Sequence, residues 1–354
     1  MEEHVRLYIW GDPLPRVRSI EVFRLTLPYG RRPESLLVRL TDHGGMTGWG
    51  EVVEPGLDKT WTTLEESLAP ALIGLDWEHP EELGRVPGGM AGDMACWDLW
   101  ARMRGVPLSH ALGGSRTSLM ATVRIDGDHS GDHSPDSLVA RVNRQVCGGY
   151  AHVTINVRPG WDIEPVRAVR ESFPGLAISV DAQCAYTDPE QLAALDHYGV
   201  AVIERPFPVS DVSGHAALQR RVSAAVAVEV GSYEELDRFV EARAARAMVL
   251  RPARFTSLAE VRRAHDHAVA SGWDILCSGG QGTGLARAAT VAVASMPGCN
   301  LPCDVTQPPR NAQIVAPPVG ASGGVIPVPL TQPGLGHVID ESRVRRMASE
   351  SFAA

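Results

Sequence analysis

Ile178-Ser179-Val180-Asp181-Ala182-Gln183 is a β-branched run that stops on a carboxylate, and two later stretches repeat its design. Val202-Ile203-Glu204-Arg205-Pro206 follows, and then Val226-Ala227-Val228-Glu229. Short runs of this kind read as strands buried on both faces. The three acids are 23 and 25 residues apart, room for one strand, one helix and two loops. Parallel strands joined in that way close into a (β/α)₈ barrel, and acids ending three successive strands converge at its C-terminal mouth. Three converging anions need a cation. A hard ion held by oxygen ligands, Mg²⁺, is therefore expected on Asp181, Glu204 and Glu229. The competing reading is three unrelated strand-end acids, and the regular period favours the metal.

The alternation extends on both sides of these stretches. Strands are expected near 120–126, 151–158, 176–182, 200–205, 224–230, 246–251, 273–277 and 300–305, with seven amphipathic helices between them. Upstream, Ser19 to Leu27, Ser35 to Leu40 and Thr47 to Val52 read as an antiparallel meander with a turn at Asp42-His43-Gly44-Gly45. Helical patterns follow around Thr62 to Leu72 and Ala91 to Met103, the second closed by Gly105 and Pro107. The predicted organisation is an extension over 1–16, an α+β domain over 17–118, a barrel over 119–316 and a Pro- and Gly-rich segment over 317–354 that returns toward the first domain. Gly279-Gly280-Gln281-Gly282-Thr283-Gly284, ahead of the seventh helix, has backbone N–H groups able to hold an anion, although glycines also simply permit a tight turn.

A chain of 354 residues with 44% hydrophobic content has room for a barrel and a smaller companion. Its net charge of −9 argues against nucleic acid or an anionic membrane as partner and leaves a small molecule. Six cysteines without CxxC spacing predict reduced thiols and a cytoplasmic location, and no apolar run is long enough to span a bilayer. Of the 33 basic residues only Lys59 is lysine. Arginine stays protonated far above neutrality and cannot serve as an ordinary general base.

The whole arrangement resembles the enolase superfamily, specifically the muconate-lactonizing subgroup near o-succinylbenzoate synthases and N-acylamino-acid racemases. The resemblance rests on Gly48-Trp49-Gly50-Glu51, on Asp93-Met94-Ala95-Cys96-Trp97-Asp98-Leu99 running to Gly105-Val106-Pro107-Leu108, and on Arg158-Pro159-Gly160-Trp161-Asp162. It continues through Val180-Asp181-Ala182, Ile203-Glu204-Arg205-Pro206, Thr283-Gly284-Leu285-Ala286-Arg287-Ala288 and Pro333-Gly334-Leu335-Gly336. It implies an N-terminal capping domain over a modified TIM barrel, a Mg²⁺ site of three acids, and chemistry that begins by removing a proton α to a carboxylate. The metal would neutralise the resulting enediolate.

The subgroup's catalytic lysines are missing. Its Lys-x-Lys pair aligns on Thr154 and Asn156, and its Lys-Pro aligns on Arg251 in Leu250-Arg251-Pro252. Asparagine has no titrating proton near neutrality, and arginine would need a greatly lowered pKa. The third ligand is a glutamate rather than the more usual aspartate, and Val230 replaces the acid after it. Gly280 and Gly282 stand where the subgroup has larger residues, which implies a wider substrate pocket. Replacement acid–base groups are sought in Asp126-Gly127-Asp128-His129-Ser130-Gly131-Asp132-His133-Ser134, where His129 and His133 have carboxylates beside them, although a solvated, capping-rich loop is the commoner fate of such a stretch. Lys59 is a candidate to bind a substrate carboxylate, against the ordinary alternative of an exposed surface lysine. His152 shares parity with Thr154 and Asn156 but belongs toward the closed end of the barrel.

The expectation is therefore a Mg²⁺-dependent, homo-oligomeric enzyme of divergent chemistry, a lyase or isomerase acting on a carboxylate-bearing small molecule. In it, metal and Arg251 stabilise an anion, and Thr154, Asn156, His129, His133, Lys59, Gly280 and Gly282 shape the site. The alternative is a pseudoenzyme that keeps the fold, and with it the metal site or not, for binding. A third reading has the acids incidental and a phosphate on the glycine cluster.

Overall fold

The computed structural model describes residues 14–28, 32–53, 56–126, 134–279 and 281–354. Strands β1 (Val17–Thr26), β2 (Glu34–Asp42) and β3 (Thr47–Val53) form the antiparallel meander. The strand Ala348–Ala353 completes the sheet on the outer edge of β1. Helix Met90–Met103 lies against β3, and the contact explains the glycines of Gly48-Trp49-Gly50-Glu51. A Cβ on Gly48 would fall 2.3 Å from the carbonyl oxygen of Ala95, and one on Gly50 would fall 2.0 Å from that of Ala91. Only glycine lets the strand approach the helix backbone so closely. Asp98, fully buried on that helix, accepts from the backbone N–H of Trp49 (2.9 Å) and of Leu335 (2.7 Å) and from Arg102 Nε (2.9 Å). One carboxylate thus fastens β3, the helix and the Pro333-Gly334-Leu335-Gly336 turn together.

After the short strand β4 (Ser118–Met120), which pairs with Val325–Pro327, comes a parallel sheet. Its seven strands lie in sequence order: β5 (Val123–Ile125), β6 (His152–Asn156), β7 (Ala177–Asp181), β8 (Val202–Glu204), β9 (Ala225–Glu229), β10 (Ala247–Leu250) and β11 (Asp274–Cys277). The expected single strand over 120–126 is divided between β4 and β5. The eighth position is held by two isolated bridges rather than a ladder, Ala121 with Cys303 and Ser278 with Asp304. Pro302 has no N–H to extend the ladder there. The barrel still closes, through Cys303 N to Met120 O (2.8 Å), Thr122 N to Cys303 O (3.0 Å) and Asp304 N to Cys277 O (2.9 Å). Seven helices connect the strands, each opened by a Ser, Thr or Asp whose side chain accepts a first-turn N–H. The fold is a (β/α)₈-type barrel under an N-terminal α+β capping domain.

Alternation along the strands sorts the barrel interior from its wall. Val202, Ala227, Ala247, Val249 and Leu276 form a separate small cluster inside it. Two residues further along, the same parity points Glu204, Glu229 and Arg251 inward at the mouth. Among the described residues no helix is long and apolar enough to cross a membrane.

Candidate functional site

Asp181 and Glu204 end adjacent strands and are paired in register, both almost fully buried. Glu204, however, pairs with Ala227, so Glu229 lies two residues nearer the mouth, roughly 7 Å along its strand. The charged partners of the three carboxylates are all arginines, and Asp181 Oδ1 also accepts from the backbone N–H of Gln183 (3.0 Å). Arg124, on β5, extends across the interior. Its Nη1 donates to Asp181 Oδ2 (2.7 Å), its Nη2 to Glu204 Oε2 (2.6 Å) and its Nε to Asp304 Oδ2 (2.6 Å). Asp304 also accepts from Ser278 Oγ (3.0 Å). Arg205 adopts a left-handed backbone (φ 48°) directly after Glu204, which turns its side chain onto Asp181 Oδ1 (3.0 Å) and Glu229 Oε2 (3.4 Å). Gln183 and Cys184, just past Asp181, are left-handed as well (φ 52° and 59°). Glu229 is completed by Arg251 Nη2 at 3.3 Å and by Arg254 Nε at 3.7 Å. Burial holds the Glu204 carboxyl above its ordinary range despite Arg124, and its Oε1 has no hydrogen-bond partner among the described residues.

Below this cluster the interior is neutral. His152, buried as its parity implied, bonds Thr122 Oγ1 through Nδ1 (2.8 Å) and Ser179 Oγ through Nε2 (3.0 Å). Burial, with Arg124 adding to it, lowers its pKa to about 4. Thr154 is fully buried and bonded to Thr122 (3.0 Å), so it belongs to this network and not to a substrate surface. Asn156 donates from Nδ2 to Asp126.

A cavity of about 530 Å³ lies between the capping domain and the barrel mouth. Its lining includes Arg32, Glu34, Glu51, Arg251, Ser278 and Gly282. Arg251 Nε is buried and has no partner among the described residues. Glu51, from β3, accepts from Ser35 Oγ (2.6 Å), Thr283 N (2.8 Å), Thr283 Oγ1 (2.7 Å) and Ala286 N (2.8 Å). The anion held by Thr283 and Ala286 at the start of the helix after the glycine cluster is thus the chain's own carboxylate, where the third reading expected a phosphate. Gly282 lines the cavity, yet a Cβ there would meet Ala286 Cβ at 2.7 Å and Glu51 Oε1 at 3.4 Å. Its missing side chain makes room for Ala286, whose backbone N–H donates to Glu51. Lys59 is exposed on helix Asp58–Thr63 and borders a separate cleft with Arg85 and Arg254. His129, His133 and Gly280 lie outside the described residues.

Residues 137–343 match the family described as Enolase C-terminal domain-like. Residues 31–113 match the Mandelate racemase / muconate lactonizing enzyme, N-terminal domain. The chain belongs to the enolase superfamily. Among its relatives in the superfamily, the o-succinylbenzoate synthase of Geobacillus stearothermophilus is 31% identical over 338 residues, covering 89% of each chain. The N-succinylamino acid racemase of an Amycolatopsis species is 34% identical over 350 residues, 92% of this chain and 94% of that one. A crystal structure of an enolase-superfamily member from Listeria innocua superposes with a TM-score of 0.87 at 24% identity, covering 96% of this chain and 99% of the other.

Superfamily members generally use Mg²⁺. The residues of this barrel do not fit that ion as they are arranged. Among the described residues no group of acids, histidines or cysteines is placed to hold a metal. Four carboxylates, Asp181, Glu204, Glu229 and Asp304, already meet four guanidiniums, Arg124, Arg205, Arg251 and Arg254, so the local charge is balanced without a dication. Arg124 is the residue that sequence reasoning missed. Its signal was parity: Thr122 and Asp126 share its face of the strand, and it lies in register with the inward Thr154.

Proposed function

We propose that this enolase-superfamily protein binds a small carboxylate in the cavity between capping domain and barrel mouth, with Arg251 as anchor, and has left the α-proton chemistry of its relatives. The observation that carries this is Arg251 itself, which lines the cavity with a buried, unmatched Nε donor while only its Nη2 engages Glu229. A guanidinium that lines a cavity with one donor still unmatched is suited to a carboxylate. The absence of the two lysines supports the loss of proton transfer, because Thr154, Asn156 and Arg251 offer no base. Of the acids lining the cavity, Glu51 is saturated with hydrogen bonds and Glu34 is paired with Arg24 (2.8 Å).

A turnover reading, a lyase or isomerase of the same carboxylate, draws support from the left-handed Gln183, Cys184 and Arg205 around the mouth, since backbone strain of this kind clusters at catalytic sites. In that case fixed guanidinium charges would stabilise the developing anion.

N-succinylamino acids and o-succinylbenzoate, the compounds named in the relatives' activities, serve as probes in calorimetric titration. Arg251→Met is expected to weaken binding about 10- to 100-fold, the size of one charge-assisted contact. Equal affinity in the variant would refute the anchor. Incubation of N-succinylamino acids in D₂O, followed by proton NMR, is expected to show no loss of the α-hydrogen. Exchange there would restore the proton-transfer reading.

A further inference from the structure

Arg124 occupies the point on which the strand-end acids converge. We infer that its guanidinium is the resident cation of this barrel, a covalently attached replacement for the divalent ion that also excludes one. Three observations carry it. The first is reach: Nη1, Nη2 and Nε each meet a different carboxylate, on Asp181, Glu204 and Asp304, at 2.7, 2.6 and 2.6 Å. These acids come from β7, β8 and the eighth barrel segment, so one side chain ties three parts of the barrel wall together at its mouth. The second is burial. Asp181 is 1% and Glu204 0% exposed, and a pair of buried anions is tolerated only with a cation held against them. The third is the balance of charge. With four guanidiniums matched to four carboxylates, an entering dication meets a neutral cluster, whereas hard-ion sites depend on uncompensated oxygen charge.

The inference is independent of the carboxylate reading, because its readout is metal binding alone. Chelator-treated wild-type protein is titrated with Mn²⁺, followed by electron paramagnetic resonance, and with Mg²⁺ by calorimetry. Arg124→Ser is treated in the same way. Wild type is expected to show no saturable site. The serine variant, with one positive charge removed, should bind Mn²⁺ about 100-fold or more tightly than wild type, and its melting temperature should rise with added Mg²⁺. Saturable binding by the wild type with wild-type affinity retained in Arg124→Ser would overturn the inference.

A second measurement covers a serine variant that fails to fold. In ¹⁵N-labelled wild type, a guanidinium held by three carboxylates gives resolved, slowly exchanging Nε–H and Nη–H signals. These are assigned by their loss in Arg124→Lys. They are expected to stay unchanged in millimolar Mg²⁺, and their displacement by the ion would overturn the inference equally.

Discussion

Glu51 joins the two domains through a single carboxylate, and replacing it by alanine is the most informative stability test the fold offers. The side chain is 1% exposed and accepts four hydrogen bonds, one from Ser35, two from Thr283 and one from the backbone of Ala286. After Glu51→Ala the hydroxyls of Ser35 and Thr283 can rotate toward other acceptors. The N–H groups of Thr283 and Ala286 cannot, and each orphaned buried donor costs about 1–3 kcal/mol. Loss of a negative charge from the N-terminus of helix Gly284–Ala294 adds roughly 0.5–2 kcal/mol. Recovering the desolvation of the carboxylate offsets part of this, so the expected loss is about 3–5 kcal/mol. For a protein of this size that is a fall in melting temperature of roughly 4–7 °C by differential scanning calorimetry. Glu51→Gln keeps one acceptor oxygen but turns an NH₂ group toward the other donors, and should fall between alanine and wild type. Hydrogen exchange supplies the local readout, with faster exchange expected at the Thr283 and Ala286 amides. If Glu51→Ala melts within about 1 °C of wild type and those two amides exchange unchanged, the carboxylate is not the clamp described.

Asp93 and His152 give pH dependences of opposite sign. Burial raises the Asp93 carboxyl from 3.8 to about 7 against the pull of the Leu258 N–H (2.7 Å), so its contribution is fully present below pH 3.8 and is lost as pH rises through 7. Asp93→Asn, which keeps an acceptor for Leu258, should flatten that part of the stability profile and melt higher than wild type at pH 8. His152 is shifted down from 6.5 to about 4, so its contribution is present above pH 6.5 and is lost as pH falls through 4. Arg124 is the second cause of that shift. Arg124→Ser should therefore move the His152 titration back toward 6.5 in an NMR pH series, and an unmoved titration would show that burial alone sets it.

The barrel was legible because its strands are short β-branched runs ending on acids at a near-constant spacing, a pattern that needs no knowledge of packing. The capping sheet was legible for a similar reason, since alternation and the Asp42-His43-Gly44-Gly45 turn are local signals. The chemistry of the site was not, because it depends on register. That Glu204 faces Ala227 and not Glu229 follows from how neighbouring strands are staggered, and no single strand carries that information. Arg124 was obscured twice over. In Val123-Arg124-Ile125 it resembles the solvent-facing member of an edge strand, and in a chain with 32 arginines one more carries little weight. The Pro302 interruption left the eighth strand as two bridges, a distinction that propensity alone does not make. Glu51 was quoted in a motif, but its role became visible only when Thr283 and Ala286, far along the chain, were found to donate to it.

The strand Ala348–Ala353 closes the capping sheet against β1, with Ser349 Oγ reaching the carbonyl of Arg24, 325 residues away in the sequence. During synthesis the β1–β3 meander can form early, but its outer edge waits for almost the entire barrel to be made. Throughout that interval β1 presents a row of unpaired backbone groups and the apolar side chains of Val22 and Phe23, both buried in the finished fold, the conditions under which nascent chains pair with one another. The yield of folded protein should therefore depend on how quickly this distant strand arrives, and a short peptide copying residues 348–353, supplied in trans during refolding, would compete for the same edge.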